Sequence, residues 1–191
     1  ESYEFLMERG YDRPIVTDYN LYVFNQYAKR FWSGEQIEST TASVELHVSE
    51  LQSIGLEQSE LIVYGYLPMM VSAQCVRRTT SGCKKEAGRL VLKDRYQKNF
   101  VVKNHCDYCY NIIYNTSPLV LTDQKDEVLN LSPKALRMHF TIEEPSEVRR
   151  MLSLYERVFI KGETCEAVDM EFTTDLKYTV EGKDIVVLAV P

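Results

Sequence analysis

The 191-residue chain has no apolar run approaching the ~20 residues that a membrane-crossing helix needs. It has 8 glycines and 6 prolines, too few for a collagen-like or low-complexity chain. Its 3 histidines are His47, His105 and His139. Val48 and Ser49 follow His47, so the His-Glu-x-x-His helix of zinc proteases is excluded. A Gly-x-Ser-x-Gly elbow, a glycine-rich phosphate loop and internal repeats are also missing, which removes the commonest hydrolase and nucleotide-binding signatures. The opening Glu1-Ser2-Tyr3-Glu4 is no signal peptide and carries no Met, so a fragment of a longer, cytoplasmic protein is expected.

What is present is a globular composition, 45% hydrophobic and 26% charged, long enough for one core or a core with an appendage. The net charge of −6 conceals a segregation of sign. From Arg77 to Lys103, nine basic residues face only Glu86 and Asp94, a local +7. Such a segment on an acidic body suits an anionic partner at 77–103, phosphate or nucleic acid; equally, lysines on an exposed hairpin edge keep it soluble.

Short apolar runs alternate with helical patterns over the first seventy residues. Pro14–Val16, Ile37–Ser39 and Glu60–Tyr64 read as strands. Between them, Leu21, Val23, Phe24, Tyr27, Ala28 and Phe31 predict a helix over 21–32, and Val44 to Ile54 predicts another ending at Gly55. The βαβαβ order predicts parallel strands with crossover helices. After Pro68 the pattern changes: Leu90–Leu92 and Phe100–Val102 flank a polar stretch and predict a hairpin carrying cysteines. Further strands are expected at 112–114, 119–121 and 136–140. A helix is expected over 143–157, with Val148, Met151, Leu152 and Tyr155 on one face. The organisation expected is a 1–74 βαβαβ half-barrel, a 75–110 cysteine-rich insertion, a 111–158 remainder and a β-like 159–191 tail.

Cysteine carries the sharpest chemical signal. Cys106-Asp107-Tyr108-Cys109 is a Cys-x-x-Cys pair, a spacing that lets two thiolates bend around one ion. Cys75 and Cys83 form a looser second pair, and basic neighbours would lower thiol pKa values and offset thiolate charge. Four-sulfur coordination suits Zn²⁺ and a [4Fe–4S] cluster alike, so the cofactor stays open between them. Unligated thiols, redox chemistry, disulfides and replacement of one ligand by His105 are the alternatives. Cys165, alone in the tail, reads as a buried small hydrophobe.

Acidic residues after strands supply a second set of candidates. Asp18 follows the first strand, and Glu45 follows the Thr40–Ser43 turn, the places where a parallel α/β barrel gathers catalytic groups. Helix capping is the competing role, Asp18 or Asn20 for the helix over 21–32 and Glu45 in the first turn of the next. Glu60 opens its strand and lacks that position.

The stretch Glu60 to Cys75 resembles the collagenase-like peptidases, peptidase family U thirty-two. Glu60, Gly65 and Cys75 fall on the Glu, Gly and final Cys of that family's signature, while Pro68 and Ala73 stand where it has Cys and Gly. Ile15–Leu21, Thr40–Leu46, Leu92–Tyr96 and Cys106–Leu121 also look like a subgroup from anaerobic Gram-positive bacteria, and the resemblance spans about 11–157. It implies a TIM-type (β/α) barrel, here the C-terminal half, and a peptidase without an agreed nucleophile. Other members resemble oxygen-independent hydroxylases of RNA bases or quinones whose cysteines hold a [4Fe–4S] centre. By position Cys75 takes that role; Cys83, Cys106 and Cys109 complete the set by spacing. The expected functions are a peptidase acting on polypeptides, an iron–sulfur enzyme acting on RNA or a small aromatic, or a zinc-stapled binding module. Open barrel edges would favour self-association.

Overall fold

The structure, a computed structural model, describes residues 1–35 and 37–164. Cys165 and the remainder of the expected β-like tail lie outside the described residues. Two compact units are resolved, Glu1–Leu61 with Leu129–Leu136, and Ile62–Val128 with the described residues from Arg137 onward.

The first unit opens with helix α1 (Ser2–Glu8). The elements that follow are β1 (Ile15–Thr17), α2 (Gln26–Gly34), β2 (Ile37–Thr41), α3 (Val48–Ile54) and the start of β3 (Ser59–Gly65). β1 pairs parallel with β2, and β2 parallel with β3, as the alternation of strand and helix patterns predicts. Helix α2 starts five residues later than its apolar spacing suggests. Asn25 takes the N-cap, its side chain accepting from the Ala28 N–H at 2.9 Å, while Tyr22 turns left-handed at φ 51°. Leu21 therefore belongs to a single 3₁₀ turn, Tyr19–Leu21. Tyr27 and Phe31, expected to face a core, are 82% and 61% exposed. Lys29 ties α2 to α3 by donating to the Gly55 carbonyl at 2.5 Å, placing a cation on the C-terminal end of α3. The core of this unit is Val23, Ala42, Leu46, Leu51, Leu56, Leu61 and Leu131.

The second unit holds the remaining elements: β4 (Pro68–Ser72), α4 (Val76–Thr80), β5 (Gly88–Lys93), β6 (Asn99–His105), β7 (Tyr110–Tyr114), β8 (Leu119–Val120), α5 (Lys125–Asn130, continuing into the first unit), β9 (Ala135–His139, beginning there) and α6 (Pro145–Tyr155). β5 and β6 form the predicted hairpin, within a four-stranded antiparallel sheet ordered β4-β7-β6-β5. The strand β4 and helix α4 have no forerunner in the sequence reading. The end of β3 pairs antiparallel with β8 at Tyr64 and Gly65. The protein is thus mixed α/β, and among the described residues no sheet closes into a barrel.

Gly65 takes φ +151°, and a Cβ there would collide with the His139 carbonyl oxygen, so only glycine fits where the chains approach this closely. Helix α6 buries Met151, Leu154 and Tyr155. Leu152, placed on the buried face by spacing, is 48% exposed because the contact stripe runs through 151, 154, 155 and 158 instead. Phe159, assigned to the β-like tail, belongs to the helical turn Glu156–Ile160 that extends α6. The Tyr155 hydroxyl donates to the Val63 carbonyl at 2.5 Å and accepts from Leu121 N–H at 3.2 Å, pinning α6 to β3.

Candidate metal centre

Antiparallel pairing brings distant cysteines to one end of the second unit's sheet. Ser72, the last residue of β4, sits opposite Asn111 in β7, so the chain leaving β4 arrives beside the turn that opens β7. That turn is Cys106-Asp107-Tyr108-Cys109, joining β6 to β7, with Tyr108 N–H on the His105 carbonyl at 3.3 Å and Cys109 left-handed at φ 54°. Cys75 N-caps the short helix α4, its sulfur accepting from the Arg78 N–H at 3.4 Å. Cys83 follows Gly82, whose φ of +83° turns the loop back toward β5.

Cys75, Cys83, Cys106 and Cys109 line one cavity of about 890 Å³. All four are free thiols, with Cys75 and Cys106 half-buried and Cys83 and Cys109 exposed. The Cys106 thiol donates to the Glu86 carbonyl at 3.0 Å, the same oxygen that Arg77 reaches at 3.1 Å. Burial pushes the Cys106 thiol up, negative charge at Cys75, Cys83 and Cys109 pushes the same way, and Arg77 pulls it down. As the side chains stand, among the described residues no three His, Cys, Asp or Glu form a group able to hold an ion. The thiol protons and their backbone partners would have to be exchanged for metal bonds.

The donor set fits a thiophilic centre. Four thiols line one cavity, and Arg78 and Lys85 on the same cavity would offset the charge of four thiolates. His105 also lines it, stacked on Tyr110 with ring centroids 4.6 Å apart, its Nε2 buried without a hydrogen-bond partner.

The expected acidic candidates belong to the first unit. Asp18 follows β1 and caps only the 3₁₀ turn Tyr19–Leu21, accepting from Tyr19 N–H at 3.0 Å, whereas α2 is capped by Asn25. Glu45 is exposed in a turn ahead of α3, outside its first helical turn. Thr40 and Thr41, read as part of the preceding turn, are strand residues of β2.

A cluster that sequence reading missed lies where β3 ends and α6 begins. Glu143, 9% exposed, accepts from the Ile142 N–H at 2.9 Å and the Thr141 N–H at 2.5 Å. Burial and Glu143 hold Tyr64 far above the ordinary phenol range, and burial, Glu147 and Glu143 push Tyr66 up to about 12. Glu147 is itself raised, by burial first and by Glu143 second. The only sequence signal was the unusual density of Glu at 143, 144 and 147.

No family model, curated protein or solved structure matches this chain.

Proposed function

We propose that Cys75, Cys83, Cys106 and Cys109 hold one metal centre, and that the protein is an enzyme working through it. The observation that supports this is the sharing of one cavity by four thiols drawn from three loop segments. An iron–sulfur cluster is favoured over a structural zinc. A structural zinc needs only its four-ligand shell, whereas these sulfurs border a cavity of about 890 Å³, the size of a small-molecule site. Bound there by all four thiolates, a [4Fe–4S] cluster would supply electron transfer to a substrate in the cavity. Arg78 and Lys85 would attract its anionic groups, and the basic segment 77–103 would guide a larger anionic partner such as RNA.

Peptidase action is the second reading, favoured by free thiols and an unpartnered His105 Nε2 in one cavity, the ingredients of a thiol nucleophile. The raised Cys106 thiol weighs against it at that position. The parallel β1–β2–β3 array is consistent with half of a TIM-type barrel, in which Asp18 and Glu45 would retain site roles at strand ends. Cytoplasmic placement accords with reduced cysteines, and among the described residues no helix is long and apolar enough to cross a membrane.

The test is anaerobic preparation followed by iron, sulfide and zinc analysis. Iron and sulfide in cluster stoichiometry, with a broad visible absorption lost in Cys106→Ser, is the expected result. Stoichiometric zinc alone would reduce the centre to a staple. Peptide cleavage abolished by Cys75→Ser yet indifferent to metal would establish the peptidase and end the cluster proposal.

A further inference from the structure

Strand β4 ends at Ser72, three residues short of Cys75, and the backbone ladder ends with it. Gln74 is instead held by side chains, its N–H donating to the Ser72 hydroxyl at 3.1 Å. The Asn111 amide nitrogen donates to the Ser72 carbonyl at 3.2 Å and to the Gln74 carbonyl at 2.9 Å. Two carbonyl acceptors fix that atom as nitrogen, so its partner oxygen Oδ1 must accept, and it does, from the Asn104 amide. Both side chains are buried, Asn111 at 0% and Asn104 at 2% exposure. Asn104 stands two residues before Cys106, and Asn111 two after Cys109. One buried pair of amides therefore joins the strand entering the Cys-x-x-Cys turn, the strand leaving it, and the segment that delivers Cys75.

From this geometry we infer that Asn111, braced by Asn104, is a positioning residue for the metal centre, setting Cys75 against Cys106 and Cys109. The inference rests on the metal-centre proposal and goes beyond it by naming what fixes the spacing of the ligands. A buried amide that served the sheet alone would have no need to reach past the end of β4; backbone pairing already joins Ser72 to Asn111 and Asn104 to Asn111. Groups that orient metal ligands without touching the metal have a recognisable effect: their loss weakens metal binding about 10–100-fold.

The experiment is anaerobic titration of the reduced full chain with Co²⁺, reading affinity and the intensity of the sulfur-to-cobalt charge-transfer band, which scales with the number of bound thiolates. Asn111→Asp keeps the acceptor for Asn104 and loses both donors to the carbonyls. It is expected to bind about 10–100-fold more weakly and with the intensity of three thiolates, matching Cys75→Ser. The double variant is expected to lose nothing further, because both changes act on the same ligand. Asn111→Asp with wild-type affinity, or with weaker binding but all four thiolates kept, overturns the inference. Should Asn111→Asp not fold, Asn104→Ala is read the same way: loss of one thiolate supports the positioning role and an unchanged band overturns it. A wild-type chain that gives no thiolate band at all sinks the metal centre itself, a failure distinct from that of Asn111.

Discussion

Replacing Glu147 by Gln is expected to stabilise the protein at neutral pH. Glu147 occupies the third residue of α6, half-buried, with Glu143 and Glu144 as like charges and Arg150 as the opposing one. Tyr64 and Tyr66 from β3 and the chain after it feel its charge. Its carboxyl is raised above the ordinary range, first by burial and then by Glu143. A raised acid binds its proton more tightly in the folded chain than in the unfolded one. Stability is then highest while the group is protonated in both states, falls as pH climbs from the unfolded value through the folded one, and stays low above it. Two unit charges ~4 Å apart repel by about 1 kcal/mol in water and about 4 kcal/mol at a dielectric of ~20, and because Glu147 is only partly buried, solvent screening keeps its repulsion near the lower figure. Arg150 and the helix N-terminus offset part of this, the latter by about 0.3–1 kcal/mol. Gln keeps an acceptor for the Glu144 N–H and carries no charge. The net gain expected is about 1 kcal/mol at pH ~7, vanishing as the pH falls below ~4, where Glu147 is protonated in both states. Urea unfolding followed by circular dichroism across this range, in reducing buffer, measures it. A Glu147→Gln variant less stable than wild type at neutral pH, or one retaining the full wild-type pH slope, would refute the reasoning.

Three further outcomes follow from single contacts. Tyr155→Phe removes the hydroxyl that bridges Val63 and Leu121 and should cost about 1–2 kcal/mol in the same unfolding assay, with α6 still formed. Gly65→Ala forces a side chain into a positive-φ residue and against the His139 carbonyl; a loss above about 2 kcal/mol, or failure to express, is expected, and a neutral effect would show that the approach relaxes freely. Asn25→Ala should lower thermal stability by the equivalent of about 1 kcal/mol, since it removes the cap of α2, and an unchanged melting temperature would deny the cap its role.

Much of the local structure was legible in the chain. Apolar runs located β1, β2 and β3, and two such runs around a polar stretch located the β5–β6 hairpin, because alternation and turn chemistry act over a few residues. Element ends were less legible. Spacing placed Leu21 in a helix that Asn25 caps four residues later, and placed Leu152 on a face that tertiary contact assigned to Leu154. Strand β4 escaped notice because Pro68-Met69-Met70-Val71-Ser72 has no clear alternation until β7 pairs with it.

The sequence by itself determined the ingredients of the candidate centre: which residues are thiols, that two are spaced to share an ion, and that cations surround them. Only the tertiary structure decided that Cys75 and Cys83 line one cavity with that pair; for Cys75 this depends on the β4–β7 register and on the buried amide of Asn111, 37 residues beyond Gln74 in the chain. The acidic cluster around Glu143 is likewise a product of packing. Its shifted proton affinities come from burial against β3, a property of the fold that no run of residues carries alone.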